Sequence, residues 1–241
     1  MRSSRRRSAG AVVCVVLTVA GVGCTRRVAP PAGEPTATAL TAAQAIALVE
    51  AVNAREAGIR TMRATFSADV VRAGTTRSVT GVLVIAKPDR FRFRLMLPFG
   101  VTVYDEVRDG ASSWRLTPLG SPSQSIDGTL LKDTFLPSPL EAARCEIAPP
   151  DAGTIDARCG DRHVAIRVRD ATIATEWFRD QSAARYDDER SVDNVALPFR
   201  IALSYPGNVA VQVTIDRYEI NPALDSQTFI PPSGADASSL D

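Results

Sequence analysis

The chain has 241 residues, with 28 basic and 27 acidic side chains and one histidine. Four of the basic residues, Arg2, Arg5, Arg6 and Arg7, stand in the first seven positions, and without them 24 basic residues face 27 acidic ones. That balance holds no positive excess to displace counterions, which excludes nucleic acid as an expected partner. A single histidine leaves no set of zinc ligands and no metal or cofactor site is expected.

The four arginines open a secretory signal. Residues 9–23 follow without a charge and end in Gly21-Val22-Gly23-Cys24. This run is shorter than the ~20 residues a bilayer span needs. A cysteine after small residues is what a bacterial lipoprotein signal peptidase reads, so Cys24 is the expected site of acylation. Two or more acyl chains give stable anchoring, at about 0.8 kcal/mol per buried methylene. Thr25-Arg26 follows the cysteine, with no aspartate there to retain the protein at the inner membrane. The expected address is the outer membrane, on its periplasmic face. Residues 24–40 are rich in Pro, Ala and Thr and read as a tether.

From Thr41 the pattern is helical. Thr41 is an N-cap candidate, Ala45, Leu48, Val49 and Val52 recur on one stripe, and Gly58 is a natural stop. Beyond Ile59 the period becomes two. Strands are expected at 65–71 and 78–86, with Gly74 and Thr75 in the turn between them. The clearest strand is 90–97, where Phe91, Phe93, Leu95 and Leu97 share one face and Arg90, Arg92 and Arg94 the other. Further strands are expected at 101–108 and 113–117, the two joined by the hairpin signal Asp109-Gly110. Leu130, Leu131, Phe135 and Leu136 suggest a short helix, Pro137-Ser138-Pro139 interrupts it, and 140–144 suggests another helical turn. Strands then resume at 163–169, 172–179, 184–193, 197–205 and 209–219. The expected domains are a signal over 1–23, an acylated tether over 24–40, one folded domain over 41–231 and an unstructured tail over 232–241.

This order is α+β with one large antiparallel sheet of about ten strands, enough to make it curl. Cys145 and Cys159 remain after Cys14 leaves with the signal and Cys24 takes the lipid. In an exported chain a disulfide between them is the default reading, with free thiols or a metal pair the alternatives. Catalysis has little to stand on. His163 lies in a strand beside Arg162, no nucleophile-elbow spacing surrounds any serine, and no glycine-rich phosphate loop exists. Asp105-Glu106 and Asp187-Asp188-Glu189 lack EF-hand spacing and read as solvated hairpin faces. The chain is therefore not expected to be an enzyme.

The large apolar side chains Phe66, Leu83, Phe91, Phe93, Leu95, Trp114, Leu116 and Trp177 are expected to line the apolar face of the sheet. Few helices are available to cover it, and a curved sheet incompletely filled leaves a groove for a greasy ligand. Phe99 sits between Pro98 and Gly100 at a loop tip, where a core residue is not expected. Its burial in a bilayer or partner contributes about 1.5–3 kcal/mol, enough for a transient contact and too little for anchoring.

The stretch Asp89-Arg90-Phe91-Arg92-Phe93-Arg94-Leu95-Met96-Leu97-Pro98-Phe99-Gly100-Val101 resembles the LolB segment in which an Asp-Arg-aromatic-Arg strand runs into a Pro-Leu-Gly loop. Leu136-Pro137-Ser138-Pro139-Leu140 resembles the joint between the short helices of that family. Leu197-Pro198 with its strand, and the strand 209–220, resemble the closing strands of the LolA/LolB group. The resemblance implies an open, incomplete β-barrel with an N-terminal helix and short lid helices over an apolar cavity. It implies a lipid-anchored receptor that takes acylated lipoproteins, or another lipid cargo, from a LolA-like periplasmic carrier and helps insert them in the outer membrane. Pro98, Phe99 and Gly100 would then be the membrane-contact loop, with Phe99 where LolB carries a protruding Leu. The Cys145–Cys159 pair is not a mark of that family. A monomer is expected. The rival reading is a structural or assembly lipoprotein in which the same sheet is a filled, protein-binding scaffold.

Overall fold

The computed structural model describes residues 40–118, 128–148 and 153–239. The expected signal, Cys24 and the tether through residue 39 lie outside the described residues, as do the last two residues of the tail.

Helix α1 spans Ala42–Ala57. Thr41 caps it reciprocally: its side chain accepts from the Gln44 amide, and the Gln44 side chain accepts from the Thr41 amide. This capping box satisfies two of the donors that a helix start leaves open. Ala45, Val49 and Val52 form the buried stripe. Five strands follow: β1 (Thr61–Arg72), β2 (Thr75–Ala86), β3 (Arg90–Met96), β4 (Thr102–Asp109) and β5 (Ser112–Leu116). Helix α2 (Gly128–Phe135) and a 3-10 turn (Ala142–Arg144) interrupt them. Strands β6 (Cys145–Ile147), β7 (Thr154–Cys159), β8 (Arg162–Arg167), β9 (Thr172–Trp177), β10 (Ala183–Val192), β11 (Val195–Tyr205) and β12 (Val209–Ile220) come next. A 3-10 turn (Ser226–Phe229) and β13 (Asp236–Ser239) end the described chain.

All thirteen described strands join one sheet in the order β13-β5-β4-β3-β2-β1-β12-β11-β10-β9-β8-β7-β6. Every pairing is antiparallel. The sheet does not close: β13 and β6 are its edges. It is an open, curved α+β barrel. Strand β1 is the joint between the two halves, pairing with β2 on one side and with β12 on the other. A register shift between Thr65 and Phe66 bends it there, as a bulge does.

Alternation gives the sheet two unlike faces. The inner face carries Met62, Ala64, Phe66, Leu83, Ile85, Phe91, Phe93 and Leu95 in one core with α1 and the lid residues Phe135, Leu136 and Leu140. Over β2–β5 the outer face carries a second, smaller core. Val84, Ala86, Val107 and Phe229 are buried there, with Val82, Trp114 and Leu224 packed against them. A strap running on from β12 supplies Leu224 and Phe229. Arg92 Nη1 donates to the Thr228 carbonyl at 3.0 Å, and the Arg90 guanidinium lies 4.2 Å over the Phe229 ring. The arginine stripe of β3 thus holds the strap down, while Asp105 receives Arg92 and Arg94 at 2.8 Å each.

The expected disulfide joins Cys145 and Cys159, which lie directly opposite each other. The bond closes a short loop, contributing on the order of 3 kcal/mol in the chain-entropy account. Two expectations are corrected here: residues 145–159 hold the β6–β7 strand pair, for which no strands were expected, and the tail is paired. The tail was expected to lack structure from residue 232, yet Asp236–Ser239 pairs with β5 and covers an edge that would otherwise stand open.

Gly81 of β2 is opposite Phe66, and a Cβ there would lie 2.1 Å from the Phe66 Cζ. The absent side chain lets the ring lie across the neighbouring strand. Gly81→Ala is expected to destabilise the domain by about 1–3 kcal/mol through overpacking. Adding Phe66→Leu should return part of that loss in a urea titration; two costs that simply add would show that the contact is not the cause.

Candidate functional site

The inner face is centred on aromatic rings. Phe66 lies 5.9 Å from Phe93 and 5.1 Å from Phe135, and Phe93 lies 5.9 Å from Tyr104 in edge contact. Phe135 is the last residue of α2, so the lid seats an aromatic side chain between sheet and helix. Behind it, the Pro137–Pro139 joint is fastened to α1. Asn53 Nδ2 donates to the Leu140 carbonyl at 2.7 Å, and its Oδ1 accepts the Leu140 amide at 2.8 Å. Arg162 Nη1 donates to the Ser138 carbonyl.

Five of the expected wall residues meet here: Phe66, Leu83, Phe91, Phe93 and Leu95 are all buried in the inner core. Three do not. Trp114 pairs with Val107 and belongs to the outer core. Leu116 is opposite Asp105 and shares the outer face with it. Trp177 is exposed and stacks on His163 at 4.2 Å, and the adjacent Glu176 is the residue that points inward. His163 is therefore a half-buried outer-face side chain.

The acidic pair Asp105-Glu106, expected to be solvated, is buried. The two side chains occupy opposite faces: Asp105 meets the outer arginines, and Glu106 is opposite Phe93 on the inner face. Glu106 accepts from the Tyr104 hydroxyl and pairs with Arg115. The second inner polar group lies under the junction of α1 and the lid. Glu176 pairs with Arg162 at 2.8 Å and accepts from Tyr186, and Glu56 at the end of α1 lies near enough to feel its charge. Burial pushes the Glu56 carboxyl up to about 7, against the pull of Arg162, Arg55 and Lys87 and with a smaller push from Glu176. Sequence reading missed these groups. The spacing of Tyr104 and Glu106 places them on one face, but which face depends on a register only the structure supplies.

A cavity of about 40 Å³ lies between α1, the lid and the strands, lined by Glu56, Phe135, Leu136, Tyr186 and Leu197 among others. That is room on the scale of one water (~30 Å³), not of an acyl chain. Phe66, Leu83, Phe91 and Phe93 are all covered in this structure.

The 97–101 loop projects away from all of this. Phe99 is fully exposed and Val101 is also exposed. The Leu97 amide donates to the Val101 carbonyl at 2.9 Å and the Gly100 amide to the Leu97 carbonyl at 3.1 Å, closing a tight turn. Phe99 has φ +76° and Gly100 φ +81°. Glycine takes that region freely, whereas a bulky side chain there is strained. The loop thus holds a strained phenyl ring outside the fold.

No family model and no curated protein sequence matches the chain. Solved structures do. A candidate outer membrane lipoprotein-sorting domain from Vibrio parahaemolyticus superposes with a TM-score of 0.55 at 12% identity, over 78% of this chain and 97% of that one. A LolA superfamily protein from Nitrosomonas europaea gives 0.54 at 8%, over 76% and 97%. A DUF1329 family protein from Desulfovibrio piger gives 0.55 at 8%, over 77% and 95%. The chain has the LolA/LolB-like fold. The similarity lies in architecture and covers nearly all of each of these proteins.

Glu56 supports a pH prediction. Its folded value of about 7 lies above the ordinary 4.5, so the folded state holds this proton more tightly than the unfolded chain does. Its contribution is fully present below 4.5 and is lost as pH rises toward 7. Glu56→Gln should flatten the fall in stability across that window in urea titrations at stepped pH. An unchanged slope would assign the dependence to other groups.

Proposed function

We propose that this chain is a lipid-anchored receptor facing the periplasm, which binds acyl chains of lipoprotein or other lipid cargo on its inner face and helps insert them in the outer membrane. Cys24 would carry the anchor, and a LolA-like soluble carrier would supply the cargo. The protein would act as a monomer and perform no chemistry. One observation carries this reading: an aromatic-lined inner face is covered by a lid of few residues, while the same domain displays an exposed, strained phenylalanine. The lid offers the acyl chains an interior, and Phe99 offers that interior a contact with the bilayer.

The Phe135 ring of the lid sits against Phe66 on the inner face. Cargo must displace Phe135 from its seat against Phe66, and acyl carbons would then pack on the sheet where the phenyl ring had been. Transfer follows from differences in affinity among carrier, receptor and bilayer, since a ligand moves an equilibrium only by its preference between states.

The test is a photoactivatable residue at Phe93 in cells, followed by identification of what it traps. Acylated lipoproteins beside a LolA-like carrier are expected. Free phospholipid or glycolipid would change the cargo and keep the receptor role. A single unlipidated protein would favour the scaffold reading, for which the filled inner face is the specific support. A saturable site for an apolar dye on the purified protein separates the two further, because a scaffold filled by its own side chains has none.

Phe99→Glu should leave the melting temperature unchanged, since the ring touches no core. Delivery of a fluorescent lipopeptide into vesicles should slow by roughly tenfold or more, the equivalent of losing the burial of one Phe. Delivery at the unaltered rate would remove Phe99 from the mechanism. His163→Ala should leave delivery untouched, and a loss there would revive an enzymatic reading.

A further inference from the structure

The inner face changes polarity along a single row. Reading across adjacent strands, Leu83 is opposite Phe93, Phe93 opposite Glu106 and Glu106 opposite Arg115. Neighbouring strands lie about 4.8 Å apart, so the row passes from apolar to ionic within ~15 Å. Two of its members are buried apolar groups and the third is a buried carboxylate. The fourth, Arg115, is half-buried and faces the edge half of the sheet.

Arg115 is hydrogen-bonded to Glu106 and Tyr104 and still keeps one donor unused. Its Nη2 pairs with Glu106 at 3.5 Å, the longest ion pair among the described residues in which a carboxylate is almost wholly buried, and its guanidinium lies 5.7 Å from the Tyr104 ring centre. Its Nε is buried and has no hydrogen-bond acceptor among the described residues. Asp236 is the register partner on β13, yet among the described residues no ion pair joins the two. A buried donor left without an acceptor is costly, so the group gains from any oxygen delivered to it. Arg162, at the other polar group, differs. That guanidinium also keeps a buried nitrogen without an acceptor, but its remaining nitrogens hold Glu176 and the lid carbonyl of Ser138. Arg162 is engaged in closing the lid, whereas Arg115 bonds to no lid residue among those described.

We infer that Arg115 recognises the acyl linkage of the cargo, its guanidinium donating to ester carbonyl oxygens while the acyl chain lies over Phe93 and Leu83. An amphiphile placed along the row finds its own polarity sequence matched. Glu106 and Tyr104 hold the guanidinium in place without saturating it. This inference rests on the proposed acyl-binding role and names the chemical group that the site reads. Ester carbonyls occur both in diacylated lipoproteins and in phospholipids, and the linkage is the shared chemistry.

The test uses the full chain in nanodiscs of ether-linked lipid, which carry no competing ester. The probes are a fluorescent lipopeptide with two ester-linked acyl chains and its ether-linked counterpart. The wild type should prefer the ester form by roughly tenfold, the scale of one charge-assisted hydrogen bond. In Arg115→Met combined with Glu106→Gln, which leaves no unpaired buried charge, the ester-to-ether ratio should fall to near one. Arg115→Lys should keep part of the preference. An ester preference that survives in the double variant would overturn the inference, as would equal binding of both probes by the wild type. Binding of neither probe would overturn the receptor reading as well. Displacement by an ester phospholipid as strong as by unlabelled lipopeptide would support Arg115 as the reader and identify free lipid as the source.

Discussion

The rest of the site depends on a constraint of connectivity. Strands β5 and β6 are consecutive in the chain and lie toward opposite ends of one sheet. The segment between them has to travel from one end to the other, and its helix α2 packs on the inner face near β3. A lid is therefore a consequence of topology, and Phe135 is the residue that gives it a fixed seat between Phe66 and the helix side. Anchors of two kinds hold it, the phenyl contact on one side and the hydrogen bonds from Asn53 and Arg162 on the other. The phenyl contact is non-directional and is replaceable by any apolar group of similar bulk. The paired hydrogen bonds between Asn53 and Leu140 are directional and are replaceable only by groups of matching geometry. An acyl chain can compete for the first and not for the second. Cargo entry would thus free the α2 end of the lid while the proline joint stays on α1.

The same sheet solves two packing problems that pull apart. Under the proposed role its inner face would have to stay coverable by something that leaves, and its outer face would have to stay covered permanently. The outer core over β2–β5 is sealed by the strap, with Arg92 bonded to Thr228 and Arg90 stacked over Phe229. At the other edge the Cys145–Cys159 bond ties short β6 to β7. Permanent fixings thus sit on the outer face and at the edges. The removable one sits at the inner centre, which is where the expected cargo walls Phe66 and Phe93 are.

Much of this was legible in the sequence, because alternation survives without knowledge of neighbours. The β3 stripe of Phe91, Phe93 and Leu95 against Arg90, Arg92 and Arg94 is read directly from period two, and Thr41 with Ala45, Val49 and Val52 from the helical stripe. What was not legible depends on register and on pairing across the chain. Trp114, Leu116 and Trp177 are large and apolar, and size alone assigned them to the inner face. Only their partners Val107, Asp105 and Ala183 reveal that they point out. Strands β6 and β7 were hidden because they are short, polar on alternate positions and separated by a Pro-Gly segment that reads as loop. Asp105-Glu106 misled for a different reason. A solvated carboxylate pair and two carboxylates buried on opposite faces have the same sequence, and distant arginines on β3 and β5 decide between them.

Phe99 was legible because its flanks isolate it, and its backbone sharpens the argument. A bulky residue held at positive φ costs on the order of 1–3 kcal/mol, whereas glycine at the same position would cost little. The phenyl ring returns none of that within the fold, since it is fully exposed. Burying it in a bilayer contributes about 1.5–3 kcal/mol. That gain is small beside what stable anchoring needs, so the ring favours a contact that forms and breaks, and the strain is carried whether or not the contact is made. Under the proposed role, a larger apolar tip would hold the domain down beside an anchor at Cys24, and a glycine would give the loop no grip at all. Brief engagement is what repeated cargo release would require of such a tethered receptor.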